Sequence, residues 1–455
     1  MPSPLDGPAS LRDPFARFLK QKDMVRNIRD PLVHECLRHR QVQFPAQWNI
    51  SRFWFAYELP PSHPESIHPA LLDAMCLLGC LHGGNTLKAY EPLFYTRLQR
   101  SLYNCLEDAD RLLDFIRAST LLAKYCLTTA RCEEGYHRHA ATVRFAMACG
   151  LHRIDTYNPE LLEIPLLRRP KDLVDIGDMI HAWWNVFLID RLGALLMRSS
   201  GTIAHDDERI TTLWPCAFED YENGQATQAP YRGLLSLRIS QPDMEPTNRV
   251  YDNIYAFRTQ GSEVYYYGIL LGSSSREGVD VSREASAAID AALLLSEAMT
   301  SYRRQICPTF HRTRNQEGFI HDCALIFAMT VNYGGLIQLL HIFAKDNNPF
   351  YWQRVGVARA CVELAIEVCQ VDLSLLNLTI WLPWYSAYEV LAWEYIRLKS
   401  LNDLIGAATL WAELEGLMNA YKTFTRYYSL EENKAFGETF QMLSNYDIHT
   451  TGADT

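Results

Sequence analysis

Between residues 66 and 428 the apolar side chains recur at helical spacing, and no stretch alternates apolar and polar residues as a half-buried strand does. Leu71, Leu72, Met75, Leu78 and Leu81 lie on one face behind Ser66-Ile67-His68-Pro69, a cap-type residue followed by an early proline. Comparable runs cover 93–106 behind Glu91-Pro92, 112–127 behind Asp110, 133–148 ahead of Gly150, and 171–198 ahead of Gly201. The same periodicity predicts helices at 250–271, 282–306, 318–343, 349–376, 383–398 and 404–428. The expected fold is all-α, a large multi-helix bundle of antiparallel helix pairs with little or no β, packed through broad apolar faces. No fixed repeat period supports a solenoid.

This pattern divides the chain. Residues 1–65 are Pro-rich and read as an irregular lead-in with short helices, one of them near Leu32 and His39. Residues 66–428 form the helical body, and 429–455 a polar tail. The body is interrupted at 202–246, where Thr202, Asp206, Asp207, Pro215, Asn223-Gly224, Pro230 and Pro242 break the periodicity. A break this long points to a functional or partly disordered segment. Residues 323–343 carry no charge and are long enough to span a bilayer. They also hold Thr330, Asn332, Gln338 and His341 with no basic flank, so a buried core helix is expected and no membrane partner.

Composition narrows the function. With 48% hydrophobic and 21% charged residues, most of the 455-residue chain has enough apolar surface to fold. A net charge of −10 gives no general attraction for phosphate backbones. The small basic groups Arg38/His39/Arg40, Arg168/Arg169/Lys171 and Arg303/Arg304 read as solvated surface. Twelve scattered cysteines read as small core hydrophobes in a reducing compartment.

Enzyme signatures are missing. Phosphate-binding glycine loops and the G-x-S-x-G nucleophile elbow do not occur. His34 and His39 flank a glutamate but stand five apart, a rotation of about 500° that takes them off one helix face, so both read as surface histidines. Cys132, His137 and His139 also diverge on a helix, and no metal site is expected. Asp206-Asp207-Glu208 leaves one alternative, an all-α terpenoid-type enzyme holding magnesium through an acidic motif at 206–208, which would need a second convergent acidic cluster.

Three segments in order resemble the fungal transcription factor regulatory domain, the middle homology region of zinc binuclear-cluster regulators. They are HPALLDAMCLLGC at 68–80, the helix pair at 118–155 ending in Gly150-Leu151-His152-Arg153, and the segment at 183–215, which opens with a long helix carrying Asp190-Arg191. In that segment the helix is followed by an acidic stretch with Asp206 and Asp207, and Pro215 closes it. Ile180-His181-Ala182 replaces the family's basic pair, and Ser199-Ser200-Gly201 its Gly-Arg-Pro. The residues themselves suggest that Asp190-Arg191, set in an apolar stripe of Ile189, Leu192, Leu195 and Leu196, ties its helix to a neighbour.

The resemblance implies a nuclear, non-catalytic transcription regulator working through contacts with regulator or transcription-machinery proteins, through a homodimer, or through a small-molecule effector. The expected effector pocket lies near Tyr266, Trp381, Trp384 and Tyr385, as such pockets are largely apolar. The six-cysteine window of a zinc cluster does not occur in these residues. No cofactor is therefore expected in the chain, zinc only with an upstream cluster, and DNA binding only through an upstream module or a partner.

Overall fold

The computed structural model describes residues 26–39, 48–82, 87–227, 254–306, 316–345, 348–369, 373, 376–377 and 379–428. Fourteen α-helices and no strand occur among them. The first six are α1 (Arg26–Arg38), α2 (Ile50–Glu58), α3 (Pro69–His82), α4 (Glu91–Glu107), α5 (Leu112–Thr128) and α6 (Cys132–Ala148). Next come α7 (Leu173–Met197), the short α8 (Phe218–Glu222), α9 (Ile254–Arg276) and α10 (Ser282–Ile306). The last four are α11 (Gln316–Phe343), α12 (Pro349–Val368), α13 (Trp381–Ser400) and α14 (Leu404–Tyr428).

Three apolar cores hold these helices. The first joins α1 to α5. Leu32, Val33 and Cys36 on α1 are fully buried in it, so part of the expected lead-in belongs to the folded body. His39, at the end of α1, is buried as well and stacks on His82 with ring centroids 4.8 Å apart, against the expectation of a surface histidine. The second core wraps α7 with the end of α6 and the segment through Ala226. The third packs α9 to α14. A small cluster of Ala123, Leu127 and Ile189 bridges α5 and α7 between them.

In the third core α11 lies against α9 at close range. A Cβ at Gly261 would stand 2.8 Å from the Ala328 carbonyl oxygen, and one at Gly268 would stand 2.8 Å from that of Gly335. Glycine at both positions lets the two backbones approach. α11 contains the charge-free run Cys323–Phe343, which is apolar and long enough to cross a membrane, and 89% of its apolar window is buried. Its polar groups stitch the bundle together. Asn332 donates to the Ala292 carbonyl (3.0 Å) and to Ser296 Oγ (2.7 Å) on α10, and Gln338 donates to Ser386 Oγ (3.1 Å) on α13. Buried amides with partners are what a core helix requires.

Several expectations shift. α12 stops at Val368, where a helix to residue 376 was expected. The break after α7 is packed rather than open as far as it is described: Ile203, Leu213, Trp214, Cys216 and Phe218 are all buried. Its remainder from 228, the lead-in before residue 26, Arg40 and the tail from 429 lie outside the described residues. The eleven described cysteines are free thiols, and nine of them are buried. Arg168, Arg169 and Lys171 are surface groups, paired with Glu65 and Glu160.

Candidate functional site

α7 organises the site. Asp172 caps it by accepting from the backbone N–H groups of Val174 and Asp175, which satisfies two donors a helix start leaves open. Every residue from 179 to 191 is buried, so the helix has no solvent face there. Two charges inside such a stretch must find partners in the protein.

They do. Asp190, 2% exposed, accepts from the backbone N–H of Thr202 (2.9 Å) and of Ile203 (3.1 Å), which folds the chain back over the end of the helix. Arg191, 1% exposed, donates from Nε to Glu263 Oε2 on α9 (2.6 Å) and from Nη1 to the Ile203 carbonyl (2.6 Å). Its guanidinium lies between the rings of Phe187 and Tyr266, each centroid 4.4 Å away. Tyr266 Oη in turn accepts from the Gly201 N–H at 3.0 Å. A Cβ at Gly201 would come within 2.7 Å of both Arg191 Nη1 and Asp190 Oδ2. Glu263 is the partner that sequence reasoning missed; the only signal for it is a lone carboxylate inside the aromatic run of α9.

A second set of motif residues meets on the other side of α7. Gly150 ends α6 with φ 82°, and Leu151–Arg153 forms a single 3-10 turn. The turn is held by the segment after the acidic run. Thr211 N–H donates to the His152 carbonyl (2.9 Å), Leu213 N–H to that of Ile154 (2.8 Å), and Thr212 Oγ1 to that of Leu151 (2.6 Å). Trp214, next to Pro215, stacks on Trp184 with centroids 4.4 Å apart, and Trp184 Nε1 donates to the Leu213 carbonyl. His152 packs near Trp183, and Arg153 reaches Glu163 at the surface.

The acidic run does not converge on anything. Asp206 is solvent-exposed at 76%, and Asp207 is engaged by its neighbour Arg209 at 2.7 Å, whose hydrogen bonds, helped by its charge, hold the carboxyl below the usual range. Among the described residues no group of three or more potential metal ligands occurs. Among the described residues the acidic run thus has no second cluster to converge with, as the terpenoid-type alternative requires.

The four aromatics expected around an effector are placed as follows. Tyr266 covers Arg191, Trp384 is fully buried edge-on to Phe424, and Trp381 and Tyr385 are half-buried. A cavity of about 60 Å³ lies beside the Arg191 node, and its wall includes Tyr265, Leu382 and Pro383 instead.

His181, which stands where the family has a basic residue, is buried on α7 with Nε2 donating to the Cys216 carbonyl at 2.8 Å. Burial pushes it down to about 4, with the Arg117 cation acting in the same direction and the Cys216 carbonyl opposing both. The folded state thus holds the neutral ring, whereas the unfolded chain protonates it near pH 6.5. Its contribution is complete above pH 6.5 and lost as pH falls from 6.5 to about 4, on the order of 3 kcal/mol over that window. Unfolding titrations from pH 7 to 4 should show this slope, and His181→Gln should flatten it; an unchanged slope in the variant would assign the loss elsewhere.

The charges of this site are spent on holding α7 to its surroundings, which is the arrangement of a regulatory scaffold rather than of a reaction centre. Residues 37–248 match the model of the fungal specific transcription factor domain. That segment is such a domain, a non-catalytic regulatory module of the kind that fungal transcription factors of the nucleus carry and that works through protein contacts. No curated protein and no solved structure matches the chain.

Proposed function

We propose that the chain senses an effector or partner by a change in how its matched segment packs against the helices that follow it. The observation that carries this reading is the Arg191–Glu263 pair. Arg191 lies inside the matched segment and Glu263 beyond it, and the pair is almost fully buried. A buried pair of this kind has one good geometry, so a ligand or protein favouring a different α7–α9 packing shifts the population between two states.

The protein contact has a suitable face at the α13–α14 corner. Trp393, Leu401, Leu404 and Ile405 are each at least 60% exposed there. Apolar groups clustered at a surface mark contact sites. Another regulator or a second copy of the chain would occupy it.

Tethering the chain to a heterologous DNA-binding module in a fungal reporter strain tests both points. Tethering should change transcription, and Glu263→Gln should alter that output. Ile405→Asp, at a position 84% exposed, should reduce it without lowering thermal stability. A tethered chain that leaves the reporter at its background level would refute the reading.

A further inference from the structure

We infer that the groove between α4 and α6 is a docking site for an amphipathic helix of a partner protein, one with apolar anchors at i, i+4 and i+7 and a carboxylate in its last turn. It is a second contact, separate from the α13–α14 corner, and does not rest on the α7–α9 reading above.

Three helices build the groove. α5 forms its floor, and α4 and α6 form its walls. Gln99, Leu102, Tyr103 and Leu106 on α4 stand at i, i+3, i+4 and i+7, and so do Arg138, Ala141, Thr142 and Phe145 on α6. Each wall therefore gives one face of about two turns, about 10 Å long. Phe115, Ser119 and Leu122 run the opposite way along the floor, because residues 108–111 alone join α4 to α5. This direction sets the layers. Leu106, Phe115 and Phe145 share one end, where the two phenylalanine rings meet edge to face with centroids 5.2 Å apart. Gln99, Leu122 and Arg138 share the other end. One turn beyond it, Tyr95 on α4 donates to Glu134 on α6 at 2.5 Å and ties the two walls together.

The shape selects a helix. Tyr103 and Leu106 on the α4 wall are 66% and 47% exposed, so the groove, about 600 Å³ in volume, covers one side of an occupant and leaves the other in water. Small-molecule sites enclose most of their ligand. A helix with a single apolar face is satisfied by one-sided cover, and its anchors at i, i+4 and i+7 match the two-turn length of the walls. Three neighbouring helices running up, down and up leave the place that a fourth helix fills in a four-helix bundle.

Charge selects the partner and its direction. Arg138 is the one charged residue of the wall among the described residues. Its Nε donates to Glu134 at 2.8 Å, and Arg131 bonds the same carboxylate. Two guanidiniums on one carboxylate leave a positive charge at this end of the groove. The other end lies at the C-terminus of α4, where Glu107 and Asp108 are exposed. A helix dipole between these ends is favoured with its C-terminus at Arg138. The docked helix thus runs parallel to α5, and a carboxylate in its last turn meets the Arg138 guanidinium.

Fluorescence anisotropy on the purified full chain tests the inference with a labelled, hydrocarbon-stapled peptide of about 15 residues, since an unstapled helix of that length is marginal in water. The peptide carries Leu, Phe and Leu at i, i+4 and i+7 and glutamates in its last turn. A second peptide has lysines in their place, and a third has the same residues in scrambled order. The first should bind saturably with a Kd of about 50 μM or tighter, about threefold tighter than the lysine peptide, and the scrambled peptide should not bind. Leu106→Asp, at a half-exposed position, and Ala141→Gln, which fills the middle of the groove, should each weaken binding at least about tenfold and leave the circular dichroism of the chain unchanged. Arg138→Glu should reverse the preference, so that the lysine peptide binds more tightly. No saturable binding, or binding that neither Leu106→Asp nor Ala141→Gln weakens, would overturn the site; an unreversed preference would overturn the charge assignment. Sedimentation of the chain alone supplies the remaining outcome: a dimer dispersed by Leu106→Asp would give the groove to a second copy and overturn the partner helix.

Discussion

Replacing Arg191 with methionine should lower the free energy of unfolding by about 3–5 kcal/mol, the penalty for leaving a buried charge without its partner. The side chain answers three groups at once: Glu263 on α9, the Ile203 carbonyl, and through Asp190 the turn after α7. Methionine fills much of the volume between Phe187 and Tyr266, so the loss reports the ionic contacts rather than a void. Glu263 would remain 1% exposed with no guanidinium beside it. Arg191→Lys should recover only part of the loss, because an ammonium cannot serve the Glu263 carboxylate and the Ile203 carbonyl from one planar fork. Urea unfolding followed by circular dichroism measures both variants; a loss below about 1 kcal/mol for Arg191→Met would mean that the pair contributes no more than a surface ion pair.

The second large effect is expected at Gly150. Its φ of 82° is left-handed, a region that costs a side-chain-bearing residue about 1–2 kcal/mol. A Cβ there would also stand 2.1 Å from the Glu163 carbonyl oxygen, a backbone atom that yields only if the 159–164 segment moves. Relieving such an overlap adds about 1–3 kcal/mol. Gly150→Val should therefore destabilise the chain by about 2–5 kcal/mol and loosen the turn that follows. Hydrogen exchange at the Thr211 and Leu213 amides, which bond to the His152 and Ile154 carbonyls, reads the local part of the effect. Protection unchanged at both amides would show that the turn does not depend on this glycine.

How much of this was readable in the sequence differs from element to element. The helices at 282–306 and 404–428 were legible to the residue, because polar ends flank long apolar stripes. The stop of α12 was not: leucines and a valine continue past Val368, so nothing in composition marks the end. α1 was legible as a short helix from about Leu32 to His39, but Pro31 inside it gave the segment the look of a lead-in, so its earlier start and its burial in the folded body were not. The Asp190–Arg191 pair was visible as a buried-charge problem, since two ions inside an apolar stripe demand partners. The identity of Glu263 was not visible, as it lies 72 residues downstream and meets Arg191 only through tertiary packing. The burial of Lys124 was not legible either. Its position on α5 looks like a polar interruption of an apolar helix, and only the fold turns it inward.

The central claim is that the matched segment and the helices after it are joined through one buried ionic contact. A double-mutant cycle on Arg191→Met and Glu263→Gln, read as unfolding free energies of the full chain, tests it most directly. The account predicts a coupling of about 2 kcal/mol or more, with the double variant far less destabilised than the sum of the singles. Additivity within about 0.5 kcal/mol would contradict it, and would leave α7 and α9 held together by apolar packing alone.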